Sequence, residues 1–376
     1  MPTPRHFVSL AAQVALALRE EIDRGVWVEW LPGERALTEM LQVSRKTLRK
    51  ALGQLRSEGL IATEHGLGNR IVPRGDQAGT ARQDSSIVAL LTPDALEQMR
   101  PYTSLWVNHL RTLLAKKGMQ LLTFDGQKYF SRHPDKALAR LAAQTPAACW
   151  LLANSTDATQ RWFAGKRIPC VVAGSCHAGV DLPQADLDQY ALCRHAAGVI
   201  LGAGHRRIAL LNERSGRAGD LESEAGFVDG VRKSPHAEAV PMVTYHEHSP
   251  SSLSRAFQRL LDNPHPPTAL LVSNGASYLT VISVLAQHGL RVPQDISVVS
   301  RDGEPFFDFL VPLPAHYAAS PKVFAKKLMK PLMQSAAGEA IVPRKTLIFP
   351  NYIKGGSLGP PPPEGARRPG AAGSRG

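Results

Sequence analysis

The stretch Leu31-Pro-Gly-Glu-Arg-Ala-Leu-Thr-Glu-Met-Leu-Gln-Val-Ser-Arg-Lys-Thr-Leu-Arg-Lys-Ala-Leu-Gly-Gln-Leu-Arg-Ser-Glu-Gly-Leu60 decides how the first part of this chain folds. Leu37, Met40 and Leu41 recur at helical spacing until Val43-Ser44 interrupts them. Ser44 is a good N-cap for a second helix whose inner side carries Leu48, Leu52 and Leu55. Between Met40 and Ser57 there is no acidic residue, while Arg45, Lys46, Arg49, Lys50 and Arg56 are all present. A helix that begins Ser-Arg-Lys-Thr and keeps acids off its outer face suits an approach to phosphates.

Two short strands are expected next. Leu60-Ile-Ala-Thr and Asn69-Arg-Ile-Val flank Glu64-His-Gly-Leu-Gly, whose Gly66 and Gly68 provide the backbone freedom of a hairpin tip. Helix, turn, helix and hairpin in this order predict a winged helix. Within residues 12–73 the matching pieces are Leu31-Pro-Gly-Glu-Arg35, Ser44-Arg-Lys-Thr47, Ala51-Leu52, Leu55, Glu58-Gly-Leu60 and His65-Gly-Leu-Gly68. In these the segment resembles the DNA-binding domain of the GntR family of bacterial regulators. Gly33 stands where that family usually has a small polar residue. The resemblance implies that Arg35, Arg45, Thr47 and Arg49 contact DNA, with Ser44 and Lys46 in the same turn. It also implies that the wing at His65, Gly66 and Gly68 enters the minor groove.

Bulk properties fit a polyanionic partner. The chain has 376 residues and a net charge of +12, too long for one compact domain and right for a small module plus a larger one. The excess is spread out, since residues 1–82 hold 12 Lys and Arg against 9 Asp and Glu. Cys149, Cys170, Cys176 and Cys193 show no C-x-x-C spacing and no paired histidines, so they read as buried thiols in a reducing cytosol, with no metal expected. Met1-Pro-Thr-Pro-Arg-His lacks a following secretory core, and Val8 to Leu18 reads as the first helix of the winged domain. No apolar run approaches about 18 residues, so no membrane span is expected. The predicted organisation is a winged helix over 1–73, a linker over 74–85, a sensor over 86–354 and a disordered Pro/Gly-rich tail over 355–376.

Residues 86–354 alternate short apolar runs with helical patterns. Ser86–Thr92, Met119–Phe124, Ala147–Leu152 and Cys170–Ala173 read as one series of buried strands. Arg207–Asn212, Thr268–Ser273 and Ile296–Ser300 read as a second. This alternation predicts an α/β fold with doubly wound parallel sheets, too many strands for one sheet, and so two lobes with a cleft beyond the strand C-termini.

The order of several motifs across this region is similar to the sugar-sensing domain of LacI/GalR regulators, which itself resembles periplasmic sugar-binding proteins. They are Leu201-Gly-Ala-Gly-His-Arg-Arg-Ile-Ala-Leu210, Pro267-Thr-Ala-Leu-Leu-Val-Ser-Asn274 and Gly289 through Asp302, with weaker Asp188-Gln189 and Glu224-Ala-Gly-Phe227. A winged GntR module before such a sensor resembles the arabinose-repressor branch of the GntR family. The resemblance implies that Asp302 accepts from sugar hydroxyls and places aromatics just after the loop from Pro93 to Pro101, where Tyr102 and Trp106 are available to stack on the ring. Asn274, ending a strand, and Arg217, in a nearby loop, are further candidates. Ser223 and Gly275 stand where the family often has Arg and Asp. His205-Arg206-Arg207 reads as a structural turn rather than a phosphate cluster.

The expected function is a cytoplasmic, homodimeric repressor that binds a double-stranded DNA operator and is released by a small sugar, with no cofactor. One alternative is a DNA-binding dimer whose degenerate cleft is a scaffold or binds a protein. Another is a pyridoxal-phosphate enzyme joined to a GntR module, which needs a Schiff-base lysine in a small-residue loop. No such motif stands out, nor a paired-carboxylate, nucleophile–His or P-loop pattern.

Overall fold

The chain divides into two compact units, Met1–Gly79 and Thr80–Gly376, each packed chiefly within itself. The computed structural model describes residues 10–23, 26–27, 29–64, 68–72, 86–236 and 238–363. In the first unit α1 (Leu10–Asp23), α2 (Glu34–Leu41) and α3 (Arg45–Ser57) precede a hairpin of β1 (Ile61–Glu64) and β2 (Gly68–Ile71). Gln42 turns the chain between α2 and α3 at φ 50°, with its N–H donating to the Thr38 carbonyl. Ser44 then caps α3, its Oγ accepting from the Thr47 N–H at 3.2 Å. Leu48, Ala51, Leu52 and Leu55 are buried against Val14, Ala15 and Leu18 of α1. Met40 is exposed instead, because this short helix turns its inner side through Leu37. Residues 29–31 add a third strand-like edge, with Leu31 N–H donating to Asn69 O at 2.9 Å and Ile71 N–H to Glu29 O at 2.8 Å.

The second unit begins with a parallel sheet. Its strands β3 (Ile87–Thr92), β4 (Gln120–Asp125), β5 (Cys149–Ala153), β6 (Cys170–Ala173) and β7 (Gln184–Leu187) alternate with α4 (Pro101–Ala115), α5 (Asp135–Gln144) and α6 (Asp157–Lys166). After α7 (Gln189–Gly202) come β8 (Arg207–Glu213), α8 (Ala218–Arg232), β9 (Val240–His246), α9 (Pro250–Leu261), β10 (Ala269–Val272), α10 (Gly275–Gln287), β11 (Ser297–Ser300) and β12 (Ala315–Ala318). The chain then returns through α11 (Pro321–Ala336) and β13 (Lys345–Ile348) before ending in β14 (Asn351–Ile353). The two six-stranded sheets have the orders β13-β7-β6-β5-β3-β4 and β14-β12-β11-β10-β8-β9. Only β14 runs antiparallel among the described strands of these sheets. Runs such as Val88–Leu91 and Ala269–Val272 are fully buried because helices cover both faces of each parallel sheet.

The chain crosses between the lobes after β7, after β12 and after β13. α11 packs with α4 in the first lobe, where Phe324, Leu328 and Leu332 join its core. The C-terminal segment differs from expectation over residues 355–363. Ser357 is fully buried, its Oγ donating to Val298 O at 2.5 Å and accepting from Ala315 N–H at 2.8 Å. His205 Nδ1 meets Thr268 Oγ1 at 2.8 Å and its Nε2 meets Gly359 O at 2.9 Å. Backbone and small polar groups therefore anchor this apolar-poor segment, which composition alone does not reveal. Residues 364–376 and the expected linker 74–85 lie outside the described residues.

Candidate functional site

The first candidate surface is the start of α3. Ser44 Oγ lies 2.9 Å from Thr47 Oγ1, which fixes the first turn. Arg45 and Lys46 are exposed and make no ion pair among the described residues. Arg35 and Arg49 are also exposed, but each already has a carboxylate: Arg35 Nε sits 3.1 Å from Glu39 and Arg49 Nε 2.9 Å from Glu34. Exposed pairs of this kind are worth only about 0–1 kcal/mol, so a phosphate can displace them. Gly68 has φ 115°, a backbone conformation suited to glycine at the wing. His65 and Gly66 lie outside the described residues.

The second is a cavity of about 670 Å³ between the lobes of the second unit. From the first lobe α4 presents Tyr102 and Trp106, backed by Phe324 at ring-centroid distances of 6.2 and 5.4 Å. These give flat apolar surface, although Trp106 is largely buried. Asn274 is on the wall but caps α10, its Oδ1 accepting from Ser277 N–H at 2.9 Å. Arg217 precedes α8, its guanidinium 3.1 Å from Glu213 and 3.3 Å from Asp220. Asp302 is not on the wall: its buried carboxylate forms an ion pair with Arg100, which reaches it from the opposite lobe.

Two departures noted in the sequence are filled from elsewhere. Arg301 donates to the Ser223 hydroxyl at 2.8 Å and to Asp220 at 2.9 Å. The small side chain at 223 thus leaves room for an arginine from the end of β11. At Gly275 an added Cβ would lie 2.5 Å from Glu304 Cγ. The absent side chain makes room for a carboxylate from the loop after β11. Sequence reasoning missed Arg100, Arg301 and Glu304. The available signal was Arg301-Asp-Gly-Glu304, three charges directly behind a buried strand.

Burial alone would raise Asp220, but Arg301 and Arg217 outweigh it and bring its pKa to about 2. Burial pushes Asp186 up to about 6, against the hydrogen bonds it accepts. Ser175 bridges the lobes, with Oγ 2.9 Å from Asp186 and 2.6 Å from Glu222. One hydroxyl has one proton, so both contacts are hydrogen bonds only when one carboxyl carries a proton. Lys345 Nζ lies 3.3 Å from Glu222 on its other side-chain oxygen. Among the described residues no cluster of three or more His, Cys, Asp or Glu side chains is placed to hold a metal ion. Nor is any described helix long and apolar enough to cross a membrane.

Comparison with known proteins bears on both surfaces. Residues 10–71 match the family model of bacterial regulatory proteins of the gntR family. Residues 198–358 match that of the periplasmic binding protein-like domain. The HTH-type transcriptional regulator AglR of Rhizobium meliloti is 28% identical over 200 residues, covering 52% of this chain and 56% of that one. The HTH-type transcriptional repressor PurR of Escherichia coli is 30% identical over 141 residues, covering 36% of this chain and 40% of that one. The chain thus spans about half the length, or less, of these curated relatives. Among solved structures, the transcriptional regulator CelR–cellobiose complex aligns with TM-score 0.65 at 20% identity, over 84% of this chain and 92% of that one. A LacI family transcriptional regulator from Enterococcus faecium with bound ribose aligns with TM-score 0.58 at 17% identity, over 73% and 99%. At these identities the likeness shows the fold.

Proposed function

We propose that this chain, in which a gntR-family winged helix is joined to a periplasmic-binding-protein-like domain, is a DNA-binding transcriptional regulator controlled by a small molecule in its interlobe cleft. The observation that carries this reading is the pairing of an exposed Arg45-Lys46 helix start, without an ion pair among the described residues, with a cavity of about 670 Å³ in one chain. Arg45, Lys46 and Arg49 approach the DNA, Arg35 and the wing flank them, and the protein acts in the cytoplasm. A homodimer sets two winged helices on a near-palindromic operator. Closure of the lobes then changes half-site spacing, with a coupling of about 1–3 kcal/mol. Among the curated relatives PurR is described as a repressor, and one solved neighbour holds cellobiose and another ribose. Repression of sugar-use genes, released by a sugar, is the form of control we infer for this chain.

Footprinting on DNA flanking the gene, with and without candidate sugars, tests the whole reading; absence of any protected site sinks it. A sharper test is Arg45→Ala with Lys46→Ala. We expect each loss of a phosphate contact to lower the slope of log affinity against log salt by about 1. We expect binding to any sequence to fall together, and Arg45→Ala to cost about 1–3 kcal/mol if it also reads a base. Unchanged affinity and slope would remove α3 from the interface.

A second reading is favoured by the Arg100–Asp302 pair, which joins the lobes from within. In it the cleft is a closed scaffold and DNA binding is independent of ligand. Ligand-induced thermal stabilisation by any small molecule in the cleft excludes it.

A further inference from the structure

We propose that the cleft takes a polyhydroxylated ring bearing a protonated amine, and that Glu304 receives the ammonium. The proposal rests on the reading of the second unit as a small-molecule sensor and names the class of molecule sensed.

The argument begins with hydrogen-bond accounting. Among the described residues of the cavity wall, four buried polar atoms have no partner: Tyr102 OH, Gln189 Oε1, Arg301 Nε and Glu304 Oε2. Two of these, Gln189 Oε1 and Glu304 Oε2, can only accept. The Tyr102 hydroxyl serves either way, and Arg301 Nε donates. Buried polar atoms are normally paired, and each unmet one costs about 1–3 kcal/mol. All four are sealed from solvent in this structure, so a molecule completes this wall only as these side chains turn toward it, bringing donors to two places and an oxygen to a third. A ring with several hydroxyls does so, and Tyr102 and Phe306 on the wall offer apolar surface to its C–H faces.

Charge separates the kinds of polyol. The three inner guanidinium groups already have carboxylates. Arg100 pairs with Asp302, Arg301 with Asp220, and Arg217 with Glu213 and Asp220. Arg214 is exposed and lies over the Tyr245 ring at 5.3 Å. An acid sugar or a sugar phosphate entering the cleft would therefore find no inner cation without a carboxylate.

The opposite holds for a cation. Glu304 is 7% exposed, and its Oε2 lacks a donor. The Tyr102 backbone N–H, from the facing lobe, already serves its carboxylate. Burial raises the pKa of this group, with Arg100 opposing. Gly275 is the position that admits it, since any Cβ there would collide with Glu304 Cγ at 2.5 Å. An ammonium at Oε2 would supply the missing donor, and such charge-assisted bonds are about twice as strong as neutral ones.

The test uses the full chain and matched rings: glucose, glucosamine and glucuronate; galactose, galactosamine and galacturonate; and putrescine, an amine without a ring. Thermal shift screens them at pH 7, and calorimetric titration follows any that bind. We expect an amino sugar to bind about tenfold or more tighter than its neutral partner, and the acid member not to bind. Glu304→Gln keeps the shape and should erase the amine preference, while Glu304→Asp, retaining the charge, should keep part of it. A neutral or acidic ring binding at least as tightly as the amine overturns the proposal and leaves the sugar-sensing reading intact. So does an amine preference that survives Glu304→Gln. Binding of putrescine alone supports the charge assignment and refutes the ring. Silence from all seven probes overturns the proposal.

Discussion

Replacing Arg301 with methionine lowers the unfolding free energy of the second unit by about 3 kcal/mol. Arg301 is 7% exposed at the end of β11 and donates to Asp220, which opens α8 and is itself 6% exposed. Removing one partner of a buried ion pair costs about 3–5 kcal/mol, because a charge is left without compensation. The lower end applies here, since Arg217 remains 3.3 Å from Asp220 and the Ser215 hydroxyl also donates to it. Calorimetric unfolding of the full chain measures the loss. The second arm is Asp220→Asn in the Arg301→Met background. Removing the stranded charge should restore part of the stability, which a merely additive pair would not do. A loss under about 1 kcal/mol would mean that water already screens this pair.

The other large effect belongs to Gly226. An added Cβ would lie 2.1 Å from the Tyr190 carbonyl oxygen and 2.8 Å from its carbon. Both contacts are backbone, so no rotamer change relieves them, and α7 and α8 must move apart. Overpacking of this kind costs about 1–3 kcal/mol and at times more. Gly226→Ala should therefore lower the melting temperature and also weaken any cleft ligand, because α8 carries Asp220 and begins beside Arg217. Gly198→Ala on α7 is the control. Nothing lies within 4 Å of its added Cβ. There the change should be neutral or stabilising by up to about 1 kcal/mol, through helix propensity. Equal behaviour of the two variants would show that the helices are not in contact at Gly226.

These two positions also show what could be read in advance. The Gly226-Phe227 pair was visible as a motif, and its physical content is close helix packing with a fully buried phenyl ring. The turn at Gln42–Ser44 and the apolar strands Val88–Leu91, Ala269–Val272 and Ser297–Ser300 were legible because each is determined locally. β7, β9, β12, β13 and β14 were not singled out. β9 reads Val-Pro-Met-Val-Thr-Tyr-His at a sheet edge, half exposed and carrying a proline, so neither apolar continuity nor clean alternation marks it. β13 and β14 are short edge strands, and β13 pairs with β7 far back in the chain while β14 pairs with β12 across the excursion through α11.

The cleft divides the same way. Tyr102, Trp106, Arg217 and Asn274 were chosen from position and lie on the cavity wall. Asp302 was chosen by the same logic, but Arg100, 202 residues earlier, covers it. No local pattern can announce a partner at that separation. On α3 the run without acids hid the pairing of Arg49 with Glu34, which stands on the preceding helix.

The return of α11 and β13 to the first lobe, and of β14 to the second, has a consequence for synthesis. The first sheet lacks its edge strand until residue 348 is made, and the second until residue 353. Neither lobe is whole until nearly all of the described chain has left the ribosome. The winged helix is complete by residue 71. At roughly 5–20 residues per second, the winged helix is complete some tens of seconds before either sheet of the second unit. A nascent or prematurely ended chain would therefore carry a folded winged helix before either lobe of the second unit is whole.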